Sequence, residues 1–241
     1  MDSAMVAALT RQSGLMREMQ VVANNIANIS TSGFRAEGVV FAEHVARLEG
    51  VSGGGLSMAN ASGRNIRLMQ GDIEPTGGQF DFAIEGDGFF LLQSAEGESL
   101  TRAGHFTPND AGELVNADGH LLLDAGGAPI FIPPDARNVV LARDGTLSAD
   151  GRPITQLGLW QPDDPNDLQH LDGVRFRTEG PVQPMLEATI LQGFVESSNV
   201  DPVSQIARMI EVQRAYEMGQ GFLEKEDERI RNFLRTAGAQ V

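Results

Sequence analysis

The chain reads as an α+β protein in which helices at the two termini form a coiled-coil-like base and the residues between them form a β-rich middle. Three observations predict this. Apolar residues recur at alternating spacings of four and three from Met5 to Ile26, a second helical stripe follows Asp201-Pro202, and from 76 to 196 short apolar runs alternate with Gly, Asp, Asn and Pro turn signals without any helical period. The expected partition is 1–34 together with 200–241 as a helical domain, 35–75 as an extended β connector, and 76–199 as a β-rich outer domain.

The first helix is expected from its seam, Met5, Leu9, Gln12, Met16, Met19, Ala23 and Ile26, a heptad pattern with one polar position at Gln12. Asn28-Ile29-Ser30-Thr31-Ser32-Gly33 ends it near residue 29, because small polar side chains compete for backbone hydrogen bonds and Gly33 can take positive φ. Asn24, Asn25 and Asn28 fit a helix poorly: Asn is a weak helix former, and its amide needs partners if buried. They either hydrogen-bond across subunits or loosen the helix end. The Met5, Met16 and Met19 positions read as packing, with methionine suited to non-identical neighbours.

At the other end, Asp201 reads as an N-cap with Pro202 at the first helical position. Met209, Val212, Tyr216, Leu223, Ile230 and Phe233 mark one stripe, with Gly219 on it and Glu226 interrupting it. This helix is expected to run to about residue 235 despite Gly221, which weakens it by about 1 kcal/mol relative to Ala. A lone helix in water cannot bury such a stripe, so the two terminal helices are expected to pack on each other.

Between them, Phe80-Asp81-Phe82-Ala83-Ile84, Gly88-Phe89-Phe90-Leu91-Leu92 and Leu121-Leu122-Leu123 read as strands. Asn116-Ala117-Asp118-Gly119 and Ala142-Arg143-Asp144-Gly145 read as hairpin turns, since Asp-Gly supplies the positive φ that tight hairpins need. Residues 50–65, with Gly53-Gly54-Gly55 and no apolar period, read as an extended or flexible connector.

Composition narrows the function classes. The absence of Cys removes disulfides, thiolate nucleophiles and Cys-ligated zinc. A net charge of −15 disfavours nucleic acid and anionic membrane surfaces, both of which reward Lys and Arg clusters. The excess is concentrated in the middle, with 24 acids against 10 bases, whereas residues 1–34 carry two of each and residues 200–241 carry seven acids and six bases. Near-neutral ends suit packing beside many copies, and an acidic middle suits an outward, solvated face. No basic n-region with a long apolar run opens the chain, so no cleaved secretory signal is expected, and no apolar stretch approaches the roughly 20 residues of a membrane span. His44, His105, His120 and His170 lack metal-site spacing, the Asp/Asn loops do not complete an EF-hand, and neither a nucleotide-binding glycine motif nor a GxSxG elbow occurs. No catalytic residue, cofactor or metal is expected.

Ala23-Asn24-Asn25-Ile26-Ala27-Asn28-Ile29-Ser30-Thr31-Ser32-Gly33-Phe34-Arg35 closely resembles the signature of flagellar rod and hook proteins. Further blocks resemble the same family in the same order: Gly71-Asp72-Ile73-Glu74-Pro75-Thr76-Gly77-Gly78 running into Phe82-Ala83-Ile84-Glu85-Gly86-Asp87-Gly88-Phe89-Phe90, then Thr101-Arg102-Ala103-Gly104-His105-Phe106, Glu196-Ser197-Ser198-Asn199-Val200, and the closing Met209-Ile210-Glu211-Val212-Gln213-Arg214-Ala215-Tyr216-Glu217. Within the family, the length, the single β domain and the opening from Leu9 to Met19 resemble the proximal rod subunit, with the distal rod subunit as the close alternative.

The resemblance implies a non-enzymatic subunit of the flagellar basal body. It would be exported unfolded through the flagellar type III apparatus and assembled in the rod crossing the periplasm, with other rod proteins and copies of itself as partners. Subunit contacts are expected at Met5, Leu9, Gln12, Met16, Met19, Asn24, Asn25, Ile26 and Asn28, at Gly33, Phe34 and Asn199 where the chain leaves the helical base, and at Met209, Val212, Arg214, Tyr216, Leu223 and Ile230. A surface complementary to a different surface on its neighbour propagates as an open helical series, which suits such a subunit. A reading from another class is a soluble β-domain enzyme or ligand-binding protein whose terminal helices dimerise; it predicts a concave polar site within 76–196.

Overall fold

A computed structural model describes residues 2–47, 55–185 and 189–238. Among the described residues, two α-helices flank a run of antiparallel strands. The first, α1, spans Asp2–Ala27 and the second, α2, spans Pro202–Gly238. Asp201 caps α2 as expected: its carboxylate accepts from Val203 N at 3.2 Å and its carbonyl from Gln205 N at 3.1 Å.

Contacts divide the chain into two compact units, one formed by 1–27, 37–65 and 201–241, the other by 28–36 and 66–200. This differs from the expected partition at both edges of the connector. Strands β1 (Glu37–Arg47) and β2 (Gly55–Ile66) pair as a two-stranded sheet, and β1 packs against α1. Residues 55–65 are strand, in keeping with the extended β connector expected over 35–75; 48–54, with Gly53 and Gly54, lie outside the described residues. Residues 28–34, expected to finish the helical base, and 35–36, expected to open the connector, belong with the β unit. The reason is chemical: Gly33, Phe34 and Arg35 find their partners there.

In the β unit the largest sheet has seven strands in the order Gln169–His170, Arg175–Arg177, Gly97–Thr101, Phe90–Ser94, Leu121–Leu122, Leu114–Val115, Thr107–Pro108. The run Phe89-Phe90-Leu91-Leu92 is continuously apolar because both of its faces are covered. Phe90 and Leu92 enter one core with Phe82, Ile84, Phe106 and Leu122, while Phe89 and Leu91 enter a second with Leu100, Leu168 and Phe176. Both predicted hairpin turns form, with Gly119 N on Asn116 O and Gly145 N on Ala142 O, each at 3.0 Å, and both glycines at positive φ. A three-stranded sheet, Val139–Leu141, Thr146–Ala149 and Arg152–Gln156, and three strand pairs complete the unit.

Phe90 is fully buried and meets Phe106 edge-on at 5.6 Å. Phe90→Ala is expected to lower unfolding free energy by about 3–5 kcal/mol, measured by urea denaturation. Gly104→Ala should be at least as damaging, since an added Cβ would sit less than 3.0 Å from Phe82 O in backbone that cannot yield.

Candidate functional site

In the helical unit, the bonded pairs Gln12 with Tyr216, Glu18 with Arg208 and Asn25 with Gln205 show that α1 and α2 run antiparallel. The helices are pinned by polar contacts. The Gln12 amide donates to Tyr216 O at 3.0 Å and lies close over Gly219, where a Cβ would be 2.7 Å from Gln12 Nε2. Arg208 Nε donates to Glu18 Oε1 at 2.6 Å; this bond is the first cause raising the Arg208 pKa above its ordinary value.

The buried face of α1 is Gln12, Glu18, Val21, Val22 and Asn25, which corrects the expected seam between the helices. Of the predicted stripe only Gln12 is buried; Met5, Met19 and Ile26 are half-buried, and Leu9, at 53% exposure, Met16, at 42%, and Ala23 are exposed. A strict heptad drifts around a straight helix, and here the face with polar partners on α2 and β1 is the one that turned inward. On α2 the stripe holds better. Val212 is buried, Met209, Tyr216, Leu223 and Ile230 are half-buried, and Phe233 and Arg214 are exposed.

Asn25 has a role that neither sequence alternative described. Its amide donates to Glu37 O at 2.8 Å and to Gln205 Oε1 at 3.2 Å, and its Oδ1 accepts from Glu37 N at 2.9 Å. It substitutes for a neighbouring strand at the start of β1. Asn28 serves the helix end, accepting from Thr31 Oγ1 at 3.1 Å and from Thr31 N at 3.2 Å. Asn24 is exposed on α1.

In the β unit the motif blocks, far apart in sequence, converge on one buried ionic cluster. Glu196, 1% exposed, receives Arg35 Nη1 at 2.8 Å and Arg102 Nη1 at 3.0 Å on its two carboxylate oxygens, and Gly71 N adds a third bond at 3.0 Å. Arg102 also donates to Gly86 O at 2.8 Å and lies 5.2 Å over the Phe89 ring. Arg35, fully buried, donates to Met69 O as well. Burial lowers the Arg35 pKa to about 10 and lowers that of Arg102, outweighing the opposing attraction of Glu196 in both. Two guanidinium groups thus share one carboxylate.

Around this cluster the segment 33–36 is gripped along its backbone. Gly33, at φ 73°, donates to Glu196 O at 2.7 Å, and an added Cβ would collide with Ala103 N. Phe34 is 1% exposed among Ala36, Val200, Ile29 and Val174, with His170 stacked on it at 5.5 Å. The Asn199 side chain accepts from Ala36 N at 2.6 Å and donates to Arg67 O and Met69 O at 2.9 and 2.7 Å.

Three family models match the chain: flagella basal body rod protein over residues 3–35, flagellar hook protein FlgE/F/G D1 domain over 83–149, and flagellar basal body rod FlgEFG protein C-terminal over 191–235. A flagellar basal-body rod protein FlgF of Caulobacter vibrioides is 39% identical over 99% of both chains, and one of Mesorhizobium japonicum is 35% identical over the whole of both. The chain belongs to the flagellar basal-body rod protein family. A flagellar basal-body rod protein FlgG of Agrobacterium fabrum is 32% identical over 93% of this chain, so FlgF is the better-supported likeness within the family.

For this rod-family chain, sequence reasoning placed Gly33, Phe34 and Asn199 among subunit contacts, and the structure engages all three within the β unit. It missed the pairing of Arg35 and Arg102 with Glu196. The available signal was that each of these charges sits inside a quoted motif block beside apolar or glycine residues. Beside this cluster, a cleft of about 200 Å³ is lined mainly by Leu68, Phe89, Pro162, Pro165 and Leu168, with Arg102 and Asp87 at its polar side.

Glu196→Gln leaves two buried guanidinium groups without their counter-charge and is expected to cost about 3–5 kcal/mol. Replacing Arg35, Arg102 and Glu196 together by Met, Met and Leu should cost less than that single change. Urea unfolding of both variants checks the ordering.

Proposed function

We propose that the chain is an FlgF-like structural subunit of the rod, working through assembly with other rod proteins and copies of itself and carrying no catalysis. The observation that carries the reading is apolar surface turned outward on the helical unit. Leu9 and Met16 on α1, and Val203, Ile206, Met218 and Phe222 on α2, are between 42% and 76% exposed. Isolated exposed apolar residues are ordinary, but rows of them on a helix pair with nearly balanced charge suit burial against neighbouring helices. A groove between α1 and α2, about 540 Å³ and lined by Ala7, Ala8, Leu15, Ala215, Gly219 and Phe222 among others, offers small residues where another helix can approach.

The predicted contact residues divide accordingly. Leu9, Met16, Asn24 and Arg214, with the half-buried Met5, Met19, Ile26, Met209, Tyr216, Leu223 and Ile230, remain assembly positions. Gln12, Asn25 and Val212 hold the helical unit together. The absence of Cys is compatible with unfolded export through the flagellar type III apparatus into the rod that crosses the periplasm.

Leu9→Asp combined with Met16→Asp is expected to leave the melting temperature of the purified chain within a few degrees, because both sites are exposed, while swimming and incorporation into basal bodies fall at least about tenfold. Normal incorporation of the doubly substituted chain would remove the outward helical face from the proposal.

A further inference from the structure

The segment 28–36 is attached to the β unit in a manner unlike an ordinary core strand. Its chain neighbours on both sides, 1–27 and 37–65, belong to the helical unit. It offers one aromatic anchor, one buried cation and a set of backbone groups, and the partners it meets outside itself, Val174, Val200, Glu196 and Asn199, are distant in sequence. Phe34 fills a small cluster separate from the two large cores. Arg35 meets a carboxylate that Arg102 and Gly71 hold in place independently of it. The bonds from Gly33 N to Glu196 O, from Asn199 N to Phe34 O and from Ala36 N to Asn199 Oδ1 read the backbone, and Gly33 is the position where no side chain can enter. These are the features of peptide recognition: main-chain bonds for affinity, and pockets with a charge partner for specificity.

We propose that the β unit contains a recognition slot for a Gly-Phe-Arg segment that leaves a turn at Gly33, occupied within each subunit by its own residues 28–36, and that the same segment from a second copy can occupy it when the resident one is withdrawn. Specificity lies in Glu196, which selects the arginine, in the Phe34 cluster, and in the closeness of Ala103 to Gly33. In the intact chain the tethered segment wins by its effective concentration. The inference concerns the purified chain and stands independently of its place in the rod.

The test uses the full-length chain carrying Gly33→Val, which cannot seat its own segment, and a fluorescent peptide spanning Asn28 to Glu37. Expected are saturable anisotropy and a raised melting temperature. Binding should be at least about tenfold weaker for a peptide carrying Arg35→Leu, and at least about tenfold weaker to the wild-type chain, whose slot is filled. No binding to a folded Gly33→Val chain, or equal binding of the two peptides, overturns the proposal. If Gly33→Val does not fold, chains carrying Ala36→Cys and Val200→Cys, two positions in the same small cluster, are mixed in mild urea and returned to buffer. The protein has no other Cys, so a hybrid disulfide dimer reports exchange, and its absence overturns the inference.

Discussion

Glu196 bonded to both Arg35 and Arg102 is the interaction on which the β unit's connections depend. Glu196 lies at the end of strand Phe194–Glu196, Arg102 directly after strand Gly97–Thr101, and Arg35 in the segment that follows α1. One carboxylate therefore ties three stretches of chain that no single sheet could align. Burial opposes the charged form of both arginines, and the geometry of the cluster joins these three stretches in one arrangement. An apolar cluster tolerates sliding; a carboxylate with two guanidinium partners and a backbone N–H does not.

The helical unit applies the same rule at lower density. Gln12, Glu18, Asn25 and Gln205 are mostly buried polar residues that fix the register of α1 against α2 and β1, while much of the long apolar surface remains outside. For a monomeric protein this would be an inverted use of residues. For the assembling subunit proposed above it is economical, because polar contacts set the internal register and apolar area is left for neighbours.

The fold class was legible because its signals are local. Helical periodicity, the Asp201-Pro202 cap and the Asp-Gly hairpins each act within a few residues. The face that α1 buries was not legible, since hydrophobicity ranked Leu9 and Met16 above Glu18 and Asn25, and only the three-dimensional partners reverse that order. The ionic cluster and the segment held beside it were half legible. Gly33, Phe34, Arg35, Arg102, Glu196 and Asn199 all stand in the motif blocks, but which charge meets which depends on strand order, and spacing along the chain carries no trace of it. The strand pairing of 55–66 with 37–47 was hidden because Gly and Ser mask β patterning where tertiary packing supplies the order.

The most direct test of the account is cryo-electron microscopy of isolated basal bodies, tracing this chain in the axial density. The account predicts it in the rod tier between the first rod subunits and the distal rod, with Leu9 and Met16 of α1 against helices of adjacent subunits and Arg35 on Glu196. Absence of the chain from the rod, or its presence with that helical face open to solvent, would contradict it.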